Sequence, residues 1–400
     1  MSSARPKDIL NLLLKNLNFH KISIEMKIVA DDKIPFLKGA LEPYADVTYL
    51  PGKDINRAIL KDTDALIIRT RTKCNEELLA GTKVRFIGTA TIGFDPIDTQ
   101  YCSNNNIFWT NAPGCNSSSV QQYIASALLK ISGRNKFILK GKTLGIIGVG
   151  NVGSKVAKFA LALGMNVILN DPPRARKEGG EGFYSLDFLL YESDIITVHV
   201  PLNRDGEDST FHLFDDEIFS KVKNGAWFFN SSRGEVADST SLKKIINSGR
   251  LTGAVIDVWE NEPSIDQELL QQAYIATPHI AGYSTDGKAN GTAMVVNSLS
   301  RYFELALVDW YPGNVPPPSD PVLSLDCDGK SDEEIIREAV FHSYDIDTDN
   351  TKLRQSPSDF EKIRGDYPLR REFTSYSVDL KNGSESVKKL MSKLGFRIVV

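Results

Sequence analysis

Four side chains with acid–base or anion-binding chemistry follow short apolar runs in the second half of the sequence: Arg233, Asp257, Glu262 and His279. If these runs are parallel strands, their carboxyl ends meet at one edge of a sheet, where open α/β folds bind ligands. Taken singly, each residue also has an ordinary structural interpretation, as an exposed arginine, a helix-capping aspartate, a surface glutamate or a core histidine. Together, the arginine fork can hold a carboxylate, and the histidine can accept a hydroxyl proton beside a glutamate that stabilises its imidazolium. The set therefore suits oxidation of a hydroxy acid.

The element that would position these side chains is the stretch 143–171, which predicts a strand, a glycine turn and a helix. The apolar run Leu144–Ile147 enters Gly148-Val-Gly150-Asn-Val-Gly153, and apolar residues at helical spacing follow. Gly148 permits the tight turn, Gly150 lets the backbone approach a pyrophosphate, and Gly153 lets helix and strand pack closely. The N–H groups at the start of the helix would face the phosphates. A glycine turn alone is weak support, but in this context it predicts a dinucleotide site.

Asp171 supplies the acidic residue that such a site needs. It ends a second apolar run, eighteen residues after Gly153, near the spacing at which a carboxylate meets the adenosine ribose. The carboxylate would accept hydrogen bonds from the 2′-hydroxyl and repel a 2′-phosphate, so NAD is favoured over NADP as the cofactor. Arg174 and Arg176 weaken this preference slightly.

The N-terminal part of the chain alternates short strand candidates with helical segments, which predicts a parallel sheet covered by helices. Two of the predicted strands end in loops that could hold an anion: residues 68–73, with Arg69 and Thr70, and residues 88–93, with Thr91. Hydroxyls, backbone N–H groups and an arginine together suit a phosphate or a carboxylate. A solvated basic turn and an ordinary glycine loop are the alternative interpretation, because loops are often polar.

Composition and charge limit the classes of function that the chain can have. The 400 residues are 41% hydrophobic and 24% charged, which is typical of a soluble globular chain with two or three domains. A formal net charge of -4 gives no electrostatic footprint for nucleic acid or a membrane surface. The four cysteines lack metal-ligand or disulfide spacing, so we expect no metal and a cytoplasmic location. The early apolar run Ile9–Leu14 is too short for a membrane span.

Four segments carry a family resemblance: GVGNVG at 148–153, SSRGEVAD at 231–238, DVWENEP at 257–263 and TPHIAGYS at 277–284. They resemble the D-2-hydroxyacid dehydrogenase superfamily. The resemblance implies an α/β architecture with a Rossmann-type NAD domain inserted in a flavodoxin-like substrate domain, followed by a small C-terminal α+β dimerisation domain. It also implies an NAD-dependent dehydrogenase whose catalytic residues are Arg233, Glu262 and His279, with His279 as proton donor or acceptor.

The resemblance further assigns binding residues, and the loops identified above contain several of them. The residues expected to contact NAD are Gly148, Gly150, Asn151, Val152, Gly153, Asp171, Val200, Ser231, Ser232, Arg233, Asp257 and Gly282, with Val200 contributing its backbone. The residues expected to contact a small phosphorylated hydroxy acid substrate are Arg69, Thr70, Thr91 and Tyr283.

The predicted organisation interleaves two domains and adds a third. It comprises an extension at 1–25, a substrate-binding domain at 26–119 with its return helix within 283–310, an NAD-binding domain at 120–282, a linker at 311–321 and a dimerisation domain at 322–400. Prolines stiffen the linker, and a capping box at Ser331–Glu334 predicts a helix after it. A unit of about 80 residues with an exposed sheet is marginal alone, so we expect a homodimer. A ligand-binding regulatory domain is the competing interpretation.

Two alternative functions remain open at this point. A 3-phosphoglycerate or other D-2-hydroxyacid dehydrogenase would use the same Arg233, Glu262 and His279, and sensitivity to serine would indicate a regulatory domain. An NAD(H)-sensing corepressor would keep the cofactor site without turnover. The presence of all three side chains favours an enzyme.

Overall fold

The computed structural model describes residues 26–69 and 71–399. The predicted extension at 1–25 and the substrate-binding candidate Thr70 lie outside the described residues. The chain divides into two compact units, one formed by residues up to 111 together with 295–310, the other by residues 112–294 and 311–400. The second unit therefore interrupts the first in sequence, as expected of an inserted domain.

The first unit contains a five-stranded parallel sheet with the order β2-β1-β3-β4-β5. This order is the flavodoxin-like arrangement. Strand β3 is buried along its whole length, as expected when helices cover both faces of a parallel sheet. The elements are β1 Lys27–Asp31, β2 Asp46–Leu50, α1 Arg57–Leu60, β3 Ala65–Ile68, α2 Glu76–Leu79, β4 Phe86–Thr89, α3 Thr99–Asn104 and β5 Phe108–Thr110.

The second unit is built on a six-stranded parallel sheet with the order β11-β10-β9-β8-β6-β7. The chain passes from β6 to β7 on one side and then to β8 on the other, so the strand order reverses at β6, where open α/β sheets bind ligands. The elements are α4 Ser117–Asn135, β6 Thr143–Ile147, α5 Asn151–Ala162, β7 Asn166–Asn170, α6 Pro172–Glu178, α7 Leu186–Glu192, β8 Ile195–Val198, α8 Asp216–Ser220, β9 Ala226–Asn230, α9 Ser239–Asn247, β10 Leu251–Ile256, α10 Gln267–Gln272 and β11 Ile275–Ala276.

Helix α11, Thr285–Tyr302, is the predicted return helix, and its last part belongs to the first unit. Val295, Val296 and Leu299 are buried in one core with Phe86 and other residues of the first sheet. The first unit ends at residue 111 and resumes at residue 295, whereas the predicted boundaries were 119/120 and 282/283. Helix α4 and the start of α11 account for the difference, because both pack within the second unit.

The C-terminal region has the predicted α+β character, with a three-stranded parallel sheet in the order β12-β13-β14. Its elements are β12 Val322–Asp326, α12 Asp332–Ser343, α13 Ile346–Gln355, α14 Phe360–Gly365, β13 Ser377–Lys381, α15 Glu385–Leu394 and β14 Arg397–Val399. The predicted capping box is confirmed, because Glu334 N donates to Ser331 Oγ at 3.3 Å and Ser331 N donates to Glu334 Oε2 at 2.8 Å. A 3₁₀ turn at Phe373–Ser375 precedes β13.

The C-terminal region shares its core with the NAD-binding sheet and does not form a separate compact unit. Ile336 and Val340 of α12 are buried in one cluster with Leu128 of α4, and Ser132 Oγ donates to Glu333 at 2.9 Å. The NAD-binding part of the same unit thus covers apolar faces of the C-terminal helices. The proline-rich sequence before these helices does not indicate this packing. Within the described residues, no helix combines the length and apolarity needed to cross a bilayer.

Candidate active site

The glycine turn after β6 has the geometry of a pyrophosphate site. Gly148 has φ +84°, and a Cβ there would lie 2.5 Å from the carbonyl oxygen of His199. A Cβ at Gly153 would lie 2.1 Å from the carbonyl oxygen of Gly148, so the helix and the turn pack too closely for any side chain. By contrast, a Cβ at Gly150 would meet nothing within 4 Å, and no side chain caps the helix that begins after it. Backbone N–H groups of Asn151 and Val152 therefore border open space that suits an anion.

Asp171 is held rigidly at the end of β7. Its carboxylate accepts from Val149 N at 2.7 Å and from Arg174 N at 3.1 Å, the second bond capping α6. The Arg174 guanidinium bonds Glu178 at 2.9 and 2.7 Å, and that of Arg176 pairs with Glu207 and Asp208. Because acidic side chains engage both arginines, the local charge favours a ribose hydroxyl over a 2′-phosphate at Asp171.

Asn230, the last residue of β9, holds the loop that follows this strand. Its position at the end of an apolar run does not by itself indicate this role. Asn230 Oδ1 accepts from Ser232 N at 3.1 Å and from Ser232 Oγ at 2.8 Å, and its amide donates to the Arg233 carbonyl at 2.9 Å. The Ser232 hydroxyl is therefore turned inward, while the Ser231 hydroxyl lies 3.5 Å from His199 Nδ1. This leaves the Arg233 side chain projecting from a fixed backbone.

Arg233 is half-buried, and its guanidinium donates to the neighbouring Ser232 carbonyl at 2.8 Å. It forms no ion pair with any residue that the structure describes, so the remaining N–H groups can bind a carboxylate. His199, the other basic group here, is unsuited to acid–base work. Loss of hydration lowers the pKa of His199 to about 3, so the ring stays neutral beside Thr197 Oγ1 at 3.0 Å. The adjacent Val200 side chain packs near Gly148.

His279 and Glu262 form the predicted pair. His279 Nδ1 lies 2.8 Å from Glu262 Oε2, and Glu262 Oε1 accepts from Trp259 N at 3.0 Å. Burial disfavours the charged carboxylate, but the hydrogen bonds from His279 and Trp259 outweigh it and lower the pKa of Glu262. Within the described part of the chain, no partner engages Nε2 of His279, so this nitrogen can meet a substrate hydroxyl. The pair has the geometry of a general base held by a carboxylate.

The backbone at His279 is in the left-handed region, with φ +56°, a conformation that persists only where neighbours enforce it. Asp257 provides that support: its carbonyl accepts from His279 N at 2.7 Å, and its buried carboxylate accepts from Ile280 N at 2.8 Å and Ala281 N at 2.9 Å. Thr277 Oγ1 adds a further bond at 2.6 Å. In this structure Asp257 thus holds the histidine loop, while its predicted contact with NAD stays a prediction.

Two more predicted residues lie just after His279. A Cβ at Gly282 would lie 2.1 Å from Asn116 Nδ2, so the glycine allows the loop to approach α4. The partly exposed ring of Tyr283 has the Lys288 ammonium 5.3 Å and the Arg364 guanidinium 5.5 Å from its centroid. Tyr283 therefore lies among cations, which suits an anionic ligand.

In the first unit, the structure places Arg69 and Thr91 after the neighbouring strands β3 and β4. Thr89 Oγ1 donates to the Arg69 carbonyl at 3.3 Å and lies 2.8 Å from Thr91 Oγ1, which donates to Gly93 O at 2.9 Å. The two predicted loops thus meet at one sheet edge. Their role in binding phosphate stays a prediction.

One group of described side chains has metal-ligand types: His212, Asp238 and Glu260, whose ligand atoms lie within 4.8 Å of one another. Glu260 binds His212 Nε2 at 2.7 Å and Ser239 N at 2.9 Å, and Asp238 caps α9 by accepting from Ser241 N at 2.7 Å. These bonds join the loops that follow β8, β9 and β10. We assign the group to this structural role.

Comparison with known proteins bears on this site. Residues 121–281 match the D-isomer specific 2-hydroxyacid dehydrogenase NAD-binding domain, and residues 317–395 match a domain of unknown function, DUF3410. A solved structure of D-lactate dehydrogenase from Aquifex aeolicus, complexed with NAD and lactic acid, is 28% identical, covers 70% of this chain and 95% of that chain, and gives a TM-score of 0.57. The fold and the site therefore define an NAD-dependent dehydrogenase, with NAD as its cofactor.

Relatives with higher sequence identity to this chain identify its family more specifically. Erythronate-4-phosphate dehydrogenase of Bacteroides thetaiotaomicron is 51% identical over 354 residues, which span 88% of this chain and 99% of the relative. Erythronate-4-phosphate dehydrogenase of Escherichia coli is 40% identical over 94% of this chain and 99% of the relative. The chain belongs to the erythronate-4-phosphate dehydrogenase family, and the predicted superfamily, fold class and cofactor are confirmed.

Proposed function

We propose that this enzyme oxidises 4-phospho-D-erythronate to 3-hydroxy-2-oxo-4-phosphobutanoate with NAD, as a step in pyridoxal 5′-phosphate (vitamin B6) biosynthesis. The observation that carries the proposal is the His279–Glu262 pair at 2.8 Å, located with Arg233 at the strand ends beside the dinucleotide turn. Family relatives named for this substrate align with nearly their entire length. The free, buried cysteines fit a reducing cytoplasm, where we place the enzyme.

The side chains divide the chemistry among them. Arg233 holds the substrate carboxylate with its guanidinium fork. His279 Nε2 removes the proton from the C2 hydroxyl, and Glu262 stabilises the imidazolium that results. The glycine turn and Asp171 would hold NAD, which would supply the acceptor for the hydride at C2. The C2–O bond thereby becomes a carbonyl, while the proton rests on His279 until solvent removes it.

The phosphate distinguishes this substrate from simpler hydroxy acids. We assign its binding to Arg69, Thr70, Thr91 and Tyr283, whose hydroxyls and cation offer hydrogen bonds that a phosphate accepts. The cations around the Tyr283 ring support the assignment. Simple 2-hydroxy acids lack the group that these residues would bind.

Turnover of 4-phosphoerythronate tests the proposal. We expect NADH formation, measured at 340 nm, with kcat/KM about 100-fold above that for 3-phosphoglycerate. The reason is that 3-phosphoglycerate lacks one hydroxyl of 4-phosphoerythronate, and a site that binds this hydroxyl discriminates against a substrate without it. Preference for 3-phosphoglycerate, with inhibition by serine, would instead indicate the regulated dehydrogenase. Binding of NAD without turnover of either acid would favour the corepressor.

We further propose that the enzyme is a homodimer formed through its C-terminal sheet. The outer face of this sheet presents polar side chains together with two exposed valines, Val322 at 60% and Val399 at 44% exposure. The opposite face, which includes Val378 and Leu380, is buried. A second copy packed on this outer face would cover the two valines.

Light scattering after size exclusion should give twice the chain mass of 44.3 kDa. The double variant Val322→Glu, Val399→Glu should dissociate about 100-fold more readily, because it places four acidic groups in the paired interface. Val308→Glu is a matched control, since Val308 is 82% exposed in the first unit. A wild-type monomer at micromolar concentration would rule out the dimer.

A further inference from the structure

The segment 364–372 of the C-terminal region packs against the loop that carries His279. The buried Arg370 donates from Nη1 to the Ile280 carbonyl at 3.3 Å and from Nη2 to the Ala281 carbonyl at 2.5 Å. It also bonds Ser119 at the start of α4. These carbonyls follow His279 directly, so Arg370 holds the C=O groups of the two residues whose N–H groups Asp257 binds.

The same segment holds the far end of that loop. Glu372 Oε1 accepts from Ser284 Oγ at 2.8 Å, and the Arg370 carbonyl accepts from Thr285 N at 2.7 Å. Tyr367 packs edge-on against Tyr283, with ring centroids 5.8 Å apart. The C-terminal region therefore borders the site on several sides, although its sequence family has no assigned function.

Arg364, at the end of α14, brings a cation to the His279–Glu262 pair. Its Nη1 lies 3.8 Å from Glu262 Oε2, the oxygen that also meets His279. The guanidinium lies over the rings of Tyr283 at 5.5 Å and Phe360 at 5.7 Å, while its Nε is buried without a hydrogen-bond partner in the structure. This side chain is thus positioned by ring faces and by charge.

The location has an electrostatic consequence. A cation close to a carboxylate favours its ionised form and resists protonation of a neighbouring base. Among the described residues, His279 and Arg364 are the charged or titratable side chains that pair with Glu262, and Asp257 accepts a hydrogen bond from the backbone of His279. Arg364 thus supplies a guanidinium 3.8 Å from the Glu262 carboxylate.

We propose that Arg364 is a positioning residue for the His279–Glu262 pair, through which the C-terminal region takes part in catalysis. It keeps Glu262 ionised and oriented toward His279 Nδ1, and its own charge disfavours a second positive charge on the imidazole, so that Nε2 can accept the proton of the substrate hydroxyl. The proposal rests on the dehydrogenase activity and adds a role to the C-terminal region that is separate from dimerisation.

The pH dependence of kcat/KM for NAD reduction tests the role. In Arg364→Met, the acidic limb should move to higher pH by about one unit, because the pair gains a proton more readily without the cation. Arg364→Lys should restore most of the wild-type profile. Arg337→Met is the matched control, since Arg337 lies in the same region but pairs with Glu333. An arginine that served packing alone would change stability and leave the profile in place.

A second measurement needs no substrate. The ring signals of His279, assigned by comparison with His279→Asn, can be titrated by NMR in the wild type and in Arg364→Met. If the midpoint of the His279 titration lies at higher pH in Arg364→Met than in the wild type, the proposal is supported. If the two midpoints coincide, the proposal is overturned. If the wild type failed to oxidise 4-phosphoerythronate, the substrate assignment would fall while this titration still decided the role of Arg364.

Discussion

Replacing His279 by asparagine is expected to lower kcat about a thousandfold while NAD binding is retained. A positioned general base contributes roughly 10²- to 10⁴-fold to a proton-transfer step, and among the described residues no second base pairs with Glu262 to replace His279. Asparagine is chosen because it tolerates the left-handed backbone that His279 adopts at φ +56°. Its amide can also donate to Glu262, so the loop should keep its conformation.

Steady-state kinetics, NAD titration by protein fluorescence and thermal unfolding together check this prediction. The control is His342→Asn in α12, a substitution that should leave kcat unchanged. His342 Nε2 lies 2.9 Å from the Asp320 carbonyl oxygen. If His279→Asn kept more than about a tenth of the wild-type kcat, a loss far below the usual contribution of a general base, His279 would not be the base.

The second large effect is expected for Arg233→Ala, with kcat/KM falling about a thousandfold, or roughly 4 kcal/mol. A bidentate, charge-assisted contact to the substrate carboxylate would be lost. The folded state should survive, because the guanidinium donates only to the adjacent Ser232 carbonyl and Asn230 holds the loop through the backbone of Arg233. Arg233→Lys should recover part of the loss, since an ammonium lacks the planar fork.

Kinetics with 4-phosphoerythronate and a parallel melting curve separate binding from folding. Arg85→Ala provides the matched control, because this exposed arginine pairs with Asp64 at 3.1 Å in the first unit. Unchanged kcat/KM in Arg233→Ala would contradict the carboxylate role, and a collapse of the melting temperature would show that the arginine is needed for folding.

Sequence patterns were sufficient to place the main chemical groups. The glycine spacing predicted both the close contact at Gly153 and the open space at Gly150, because each follows from the geometry of a strand–turn–helix unit. The pairing of His279 with Glu262 followed from their positions after consecutive strands. Each of these inferences depends on local order along the chain, which a sequence displays directly.

The supporting groups were missed because they come from distant segments. Arg364 and Arg370 meet the His279 loop about 80 to 90 residues after it in the chain, and no periodicity predicts which apolar face packs on which. The same reason explains why the C-terminal region looked separate: prolines precede it, but its helices bury their apolar faces against the NAD-binding unit. Asn230 was overlooked because an asparagine after a strand is common in turns.

The interruption of the first unit by the second has a consequence for synthesis on the ribosome. Its sheet strands are complete at residue 110, yet the core residues Val295, Val296 and Leu299 arrive only after the 183 residues from 112 to 294. At about 5 to 20 residues per second, the nascent sheet waits roughly 10 to 40 s for these residues of its core. The strands of the NAD-binding sheet end at residue 276, so that sheet can be completed before the older one.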